Sequence, residues 1–172
     1  MTRYALKILS IAILGGFLVC TASLSAQTVS DADQEFMKEA AAGGMAEVDL
    51  GRLAASKGQN AEVRSFGNRM VRDHSKAGGE LKSLASRKHV TLPTTITDEQ
   101  KTEKANLMKL SGAEFDREYM RMMVADHDKD VADFQQKSTD AADADLKAWV
   151  TKTLATLQTH QKMAHDLQGK VQ

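Results

Sequence analysis

The sequence is poor in several residue types, and each shortage narrows what it can be. It has one cysteine, Cys20, so no disulfide can form within the chain and cysteine chemistry is confined to that position. It has one proline, Pro93, which leaves long stretches free to be helical. Aromatic residues make up only 5%, too few for a chain rich in strands. Neither sign of charge is in excess: Lys+Arg and Asp+Glu are both 23. That balance excludes a basic nucleic-acid footprint and an acidic tail. There is no Gly-x-Ser-x-Gly and no cysteine beyond Cys20, so a nucleophilic hydrolase is not supported. Hydrophobic residues are nonetheless 42% of the 172, enough for the core of one domain.

The first 26 residues have the three parts of an export signal. Arg3 and Lys7 form a basic start, Ile8 to Cys20 is a largely apolar run, and Ser23, Ser25 and Ala26 are small residues suited to cleavage after Ala26. The run is shorter than the roughly 20 residues a spanning helix needs. Lasting membrane insertion is therefore not expected once the signal is removed. Val19 is not the small residue that a lipoprotein signal places before its cysteine, so lipidation of Cys20 is not expected either. The remainder, 27–172, reads as one periplasmic or secreted domain.

Within it, apolar residues recur at steps of three and four, the helical period. Helix A is expected from a Ser30–Asp33 capping box to Gly58, with the stripe Phe36, Ala40, Gly43, Glu47, Leu50, Ala54. Helix B, from about Asn60 to Lys88, carries Val63, Phe66, Met70, His74, Ala77, Leu81 and Leu84. The threonine-rich segment 89–97 reads as extended, and Thr97 caps a short helix from Asp98 to Leu110. A second capping box, Ser111–Glu114, opens helix C, which runs to about Lys137 with the stripe Met120, Val124, His127, Val131, Phe134. Helix D, from about Asp143 to Gly169, carries Leu146, Val150, Thr153, Leu157, His160, Ala164 and Leu167. The fold class is thus all-α, a four-helix bundle. Its 22-residue B–C connection can traverse about 40 Å of helix, as in ferritin-like bundles where B and C run parallel. An up-down-up-down bundle is the competing topology.

Each stripe is interrupted near its middle by one ionisable residue: Glu47, His74, His127 and His160. Buried without partners, each would cost several kcal/mol or lose its charge. Two readings follow. One is a hydrogen-bonded polar layer that fixes helix register. The other is a site for a divalent metal such as zinc, iron or copper, since three imidazoles and a carboxylate are good ligands. Any one of these histidines alone would more often be structural, so the sequence by itself leans to the polar layer.

Helices B and C share a repeat. Met70-Val71-Arg72-Asp73-His74-Ser75-Lys76 matches Met123-Val124-Ala125-Asp126-His127-Asp128-Lys129, with Phe66 and Tyr119 eight residues before the histidines. Asp73 and Asp126 lie about 100° around from those histidines and could hydrogen-bond a neighbouring imidazole. Asp130, three residues past His127, is a further carboxylate near it. A methionine stands one turn from each histidine: Met70, Met123 and Met163. Together they form a soft set suited to copper, although methionine fills core gaps as readily. A di-iron carboxylate centre is argued against, because Glu-x-x-His occurs nowhere.

The export signal, the Phe36–Leu53 helix with Gly44, Glu47 and Leu50-Gly51, and the two Met-Val-x-Asp-His segments resemble a bacterial exported family, domain of unknown function 4142. The resemblance covers roughly residues 31–168. It implies a ferritin-like bundle and an envelope location, and it supplies no activity and no site residues. The expectation is an exported helical bundle of undetermined function, read as a stress-related accessory; the alternatives are a metal or redox protein and an envelope interaction module. No partner is identified, and a homo-oligomer is compatible with the sequence.

Overall fold

The computed structural model describes residues 29–171; the expected export signal, the cleavage position expected for it and Cys20 fall outside them. Among the described residues there are five helices and no strand: α1 (Asp31–Lys57), α2 (Ala61–Arg87), α3 (Asp98–Met108), α4 (Gly112–Asp140) and α5 (Ala144–Gln168). None is long and apolar enough to cross a membrane. The expected stripes face inward, and every stripe residue of α5 is buried.

The helix starts follow side-chain chemistry. Ser30 Oγ accepts from Asp33 N, Asn60 from Glu62 N, and Asp143 from both Asp145 N and Leu146 N. Thr97 and Gln100 form a full capping box. Two expected boxes are corrected. Asp33 does not reach back to its own cap; its buried carboxylate accepts from Ala142 N and Asp143 N in the α4–α5 turn and pairs with Lys137. Ser111 makes no side-chain cap, and Gly112 behind it sits at φ +60°, a backbone region open chiefly to glycine.

Contacts at the two ends establish the topology. At one end the start of α1 (Asp33) meets the α4–α5 turn, and Lys88, just past α2, pairs with Asp143. At the other, Asp116 near the start of α4 accepts from Gln59 N and Asn60 N in the α1–α2 turn, and Lys170 beyond α5 pairs with Glu62. So α2 and α4 run parallel, and the connection holding α3 carries the chain back along the bundle. This is the ferritin-like crossover, not the up-down-up-down alternative. Around the bundle α1 neighbours α2 and α4, and α5 neighbours α4 and α2, leaving α2 and α4 diagonal.

The sides are unequal. Between α1 and α2 the backbones touch: a Cβ on Gly51 would lie 2.7 Å from Gly67 O, and one on Gly67 would lie 2.6 Å from Gly51 O. Between α1 and α4 a cleft of about 700 Å³ reaches inward, with α3 along one edge. The apolar core is divided. One cluster holds Phe36, Leu81, Phe134 and Trp149; the other holds Phe66, Met70, Phe115 and Met123. The ionisable stripe residues lie between the two.

Candidate metal centre

His74, His127 and His160 converge from α2, α4 and α5. Their ring centroids form a triangle with sides of 5.4, 5.5 and 5.9 Å. One nitrogen from each ring lies within 4.8 Å of the other two. Their exposures are 8%, 0% and 0%, and Glu47 on α1 is 4% exposed. Glu47 stands beside the triangle, its Oε1 3.9 Å from His127 Nδ1, outside hydrogen-bond range.

Anchoring contacts decide which ring nitrogen faces the centre. His127 Nδ1 is 2.8 Å from the Met123 carbonyl, one turn back. A carbonyl only accepts, so Nδ1 carries the proton and Nε2 keeps its lone pair. His160 Nε2 is 3.0 Å from Asp73 Oδ2. Burial pushes the Asp73 carboxyl up, but the bond from His160 and the charges of His160, Arg72 and Arg69 outweigh it and leave the pKa below its usual value. Asp73 is therefore a carboxylate, Nε2 donates, and His160 Nδ1 is left with the lone pair. Among the described residues, the buried side-chain atoms without a hydrogen-bond partner are His74 Nε2, His127 Nε2, His160 Nδ1, Glu47 Oε2 and the Tyr119 hydroxyl.

The electrostatics keep the imidazoles neutral. Burial, then repulsion from His127 and His160, lowers His74 to about 3. Burial lowers His127 to about 4 against the opposing bond to Met123. His160 is lowered by burial despite Asp73. Glu47 is raised well above the carboxylate range by burial and by Asp126 and Asp130. Burial and the neighbouring Glu47 raise the Tyr119 phenol well above its usual value.

A polar layer satisfied within itself would leave few such orphans, because a buried polar atom without a partner costs about 1–3 kcal/mol. A transition-metal ion would engage the three ring nitrogens together. With metal–nitrogen bonds of about 2.0–2.1 Å, the nitrogens would stand about 3.3–3.6 Å apart, so the rings would draw in by about 1 Å. The donor set fits: three neutral imidazoles, two of them held by a carboxylate and a carbonyl as metal-ligating histidines commonly are.

All four expected stripe residues come to this layer, and Asp73 bonds an imidazole as expected. Asp126 and Asp130 are corrected: neither bonds an imidazole. The repeat explains why. Asp73 on α2 turns toward α5, where His160 stands; Asp126, its counterpart on α4, turns toward α1, where the matching residue is Glu47. Asp126 and Asp130 line the α1–α4 cleft with Glu47, and each has a pKa of about 6. For Asp126 the cause is burial and then Glu103; for Asp130 it is burial, then Asp126 and Asp133 against Lys129. Met70 and Met123 are fully buried in the apolar cluster and Met163 packs against it, in keeping with core filling. The residue that sequence reasoning passed over is Tyr119, whose signal was the tyrosine standing where the other repeat has Phe66.

Three solved structures share this fold. A DUF305 fragment from Deinococcus radiodurans is 16% identical, with a TM-score of 0.73 over 83% of this chain and 98% of that one. CopM in its Cu(I)-bound form is 18% identical, TM-score 0.65, over 78% and 93%. CopM in its Cu(II)-bound form is 16% identical, TM-score 0.68, over 80% and 96%. No curated protein matches the sequence. The sequence model of the family described as "Domain of unknown function (DUF4142)" matches residues 19–167, nearly the whole bundle and all four stripe residues, and the chain belongs to that family.

Proposed function

We propose that this protein is a non-enzymatic metal-binding protein of the bacterial envelope, holding one transition-metal ion between His74, His127 and His160. The observation that carries the reading is the set of three converging, buried, neutral imidazoles, each with a fully buried nitrogen that no hydrogen bond satisfies. Glu47 is the fourth candidate ligand. Its unpartnered Oε2 would become a full carboxylate donor on losing its proton to solvent as the metal binds.

Imidazole suits copper, zinc and iron, and the affinity order of divalent ions puts Cu²⁺ above Zn²⁺ and well above Fe²⁺. Copper is thus the ion such a site would hold most tightly and the first to test. The copper-bound forms of CopM, which share the fold, support the same choice. The layer holds no nucleophile paired with a base and no Glu-x-x-His, and its ligands are almost wholly buried, which favours binding, buffering or delivery of the ion. The basic start and apolar run of residues 1–20 support export.

The test is metal content and intact mass together. Untagged protein recovered from the periplasm should begin near Gln27 and bind one copper ion per chain in titration. The His74→Leu/His127→Leu variant should bind none at that affinity. Wild-type protein that binds no copper, zinc or iron above the level of the variant would refute the metal reading. A mature form retaining residues 1–20 in the inner membrane would refute export.

A further inference from the structure

We infer that the metal reaches the three-histidine layer through the α1–α4 cleft, handed inward by Glu47, while the α2–α5 side is closed to it. The inference rests on the proposed metal site and concerns how that site is loaded.

The cleft carries a strong excess of one charge. Among the described residues, eight acidic side chains besides Glu47 line it against two lysines, Lys129 and Lys137. Both lysines are engaged, Lys129 with Asp133 and Lys137 with Asp33 and Asp140. Inward from the rim stand Asp126 and Asp130 on α4, one helical turn apart, with Glu103 of α3 close enough to be the main charge acting on Asp126. The innermost carboxylate is Glu47, more than nine-tenths buried, with Oε2 unpartnered in the same cavity. His74, whose Nε2 is also unpartnered, is the one member of the triad that lines the cleft. A cation moving inward therefore meets a series of oxygen donors ending at Glu47, beside the histidine triangle. Low-dielectric walls lined by one sign of charge concentrate the opposite ion and speed its capture.

The opposite side is built the other way. There His160 is sealed by its bond to Asp73, and Asp73 is in turn paired with Arg69 and Arg72. Those two guanidiniums repel an approaching cation, and no unpartnered carboxylate waits behind them. The repeat on α2 and α4 thus ends in an ion-paired cover on one side and an acidic passage on the other.

Two glycines allow a matched test. Gly44 lies one turn before Glu47 and lines the cleft; Gly79 faces the α2–α5 groove. A Cβ at either position meets nothing within 4 Å, so a side chain can leave the backbone at each without a clash at its first atom. Cu²⁺ binding to the full mature protein is followed by stopped-flow quenching of Trp149, the chain's single tryptophan, at two ionic strengths. Gly44→Phe should slow both association and release about tenfold and leave the equilibrium constant within twofold of wild type, the mark of an obstructed path. Gly79→Phe should change neither rate. Asp126→Asn/Asp130→Asn should lower the association rate at least tenfold at low salt, flatten its salt dependence and leave the visible spectrum of the copper-loaded protein unchanged. This second variant decides the matter should Gly44→Phe fail to fold. Wild-type association rates in both cleft variants, or slowing by Gly79→Phe instead, would overturn the route while leaving the histidine site intact. Absence of Cu²⁺ binding in the wild type would overturn both.

Discussion

Asp73 Oδ2 accepts from His160 Nε2 at 3.0 Å, and this one bond settles which nitrogen of His160 faces the centre of the bundle. Removing it should therefore act on metal affinity more than on folding. Asp73→Ala leaves His160 free to change tautomer and ring orientation, and a loss of this kind lowers metal affinity about 10–100-fold. Asp73→Asn keeps an accepting oxygen and should recover part of the loss. Competition against a chromophoric chelator measures both. Equal affinity in wild type and Asp73→Ala would show that the bond does not orient a ligand.

The histidines and the cleft carboxylates make opposite contributions to stability against pH. His74 and His127 move from an ordinary value of 6.5 to about 3 and about 4 on folding. The unfolded chain binds protons below pH 6.5 that the native state refuses, so their contribution is full above that pH and is lost as pH falls. The slope approaches roughly 1.4 kcal/mol per pH unit for each. Asp126 and Asp130 move from 3.8 up to about 6. They favour the native state below about pH 4 and weigh against it as pH rises through 6. Between pH 6 and 4 the two pairs largely offset each other. In metal-free protein, Asp126→Asn/Asp130→Asn should be the more stable form at pH 7, lose that advantage by pH 4, and show the steeper acid decline. Urea unfolding at pH 7, 5.5 and 4 checks this; parallel curves for the two proteins would contradict it.

The tight approach of α1 and α2 gives a test of the fold itself. Gly51 and Gly67 each occupy space that a Cβ would contest with the other's carbonyl oxygen, at 2.7 and 2.6 Å. Backbone cannot step aside as a flexible side chain can, so α1 and α2 would have to separate. Gly67→Ala should cost about 1–3 kcal/mol, the usual range for overpacking, in spite of alanine's better helix propensity. Gly43→Ala, where the new Cβ meets nothing, should be neutral or stabilising. Thermal melts of the two variants should thus move in different directions.

The helices were legible because their stripes repeat strictly and their caps are local. Asn60, Thr97 and Asp143 act within three residues of themselves, so spacing alone locates them. Asp33 and Asp116 were not legible in the same way. Their carboxylates cap turns 109 and 57 residues away, and no local pattern announces such a partner. The histidine layer was visible as one interruption per stripe, which is a matter of period. Which aspartate would touch which imidazole depended on how neighbouring helices are arranged around the bundle. Asp73 and Asp126 are equivalent in the repeat and differ only because α5 offers a histidine where α1 offers Glu47. The cleft was invisible in the sequence, since Gly43 stands in the expected stripe of α1 and nothing in its spacing shows that α4 stays clear of it.

The double replacement His74→Leu/His127→Leu separates a structural layer from a metal site. The metal-free wild type carries buried ring nitrogens with no partner, and each is a cost that leucine does not incur. The metal-free variant should therefore be as stable as wild type or more so, since the two apolar clusters would join across the layer. Copper should reverse the order. An ion that binds only the native state adds about 2.7 kcal/mol at a hundredfold excess over its dissociation constant, and the wild type alone should gain it. For a domain of this size that is a rise of roughly 5–10 °C in melting temperature. Acid should erase the gain, because protons and metal compete for the same imidazole lone pairs. Melts of both proteins, with and without Cu²⁺ and Zn²⁺, at pH 7.5 and 5, give the comparison. A wild-type shift that is saturable, weakened by acid and absent from the variant is the expected result. Equal behaviour of the two proteins with every ion would mean that His74 and His127 serve only to set the register of the helices.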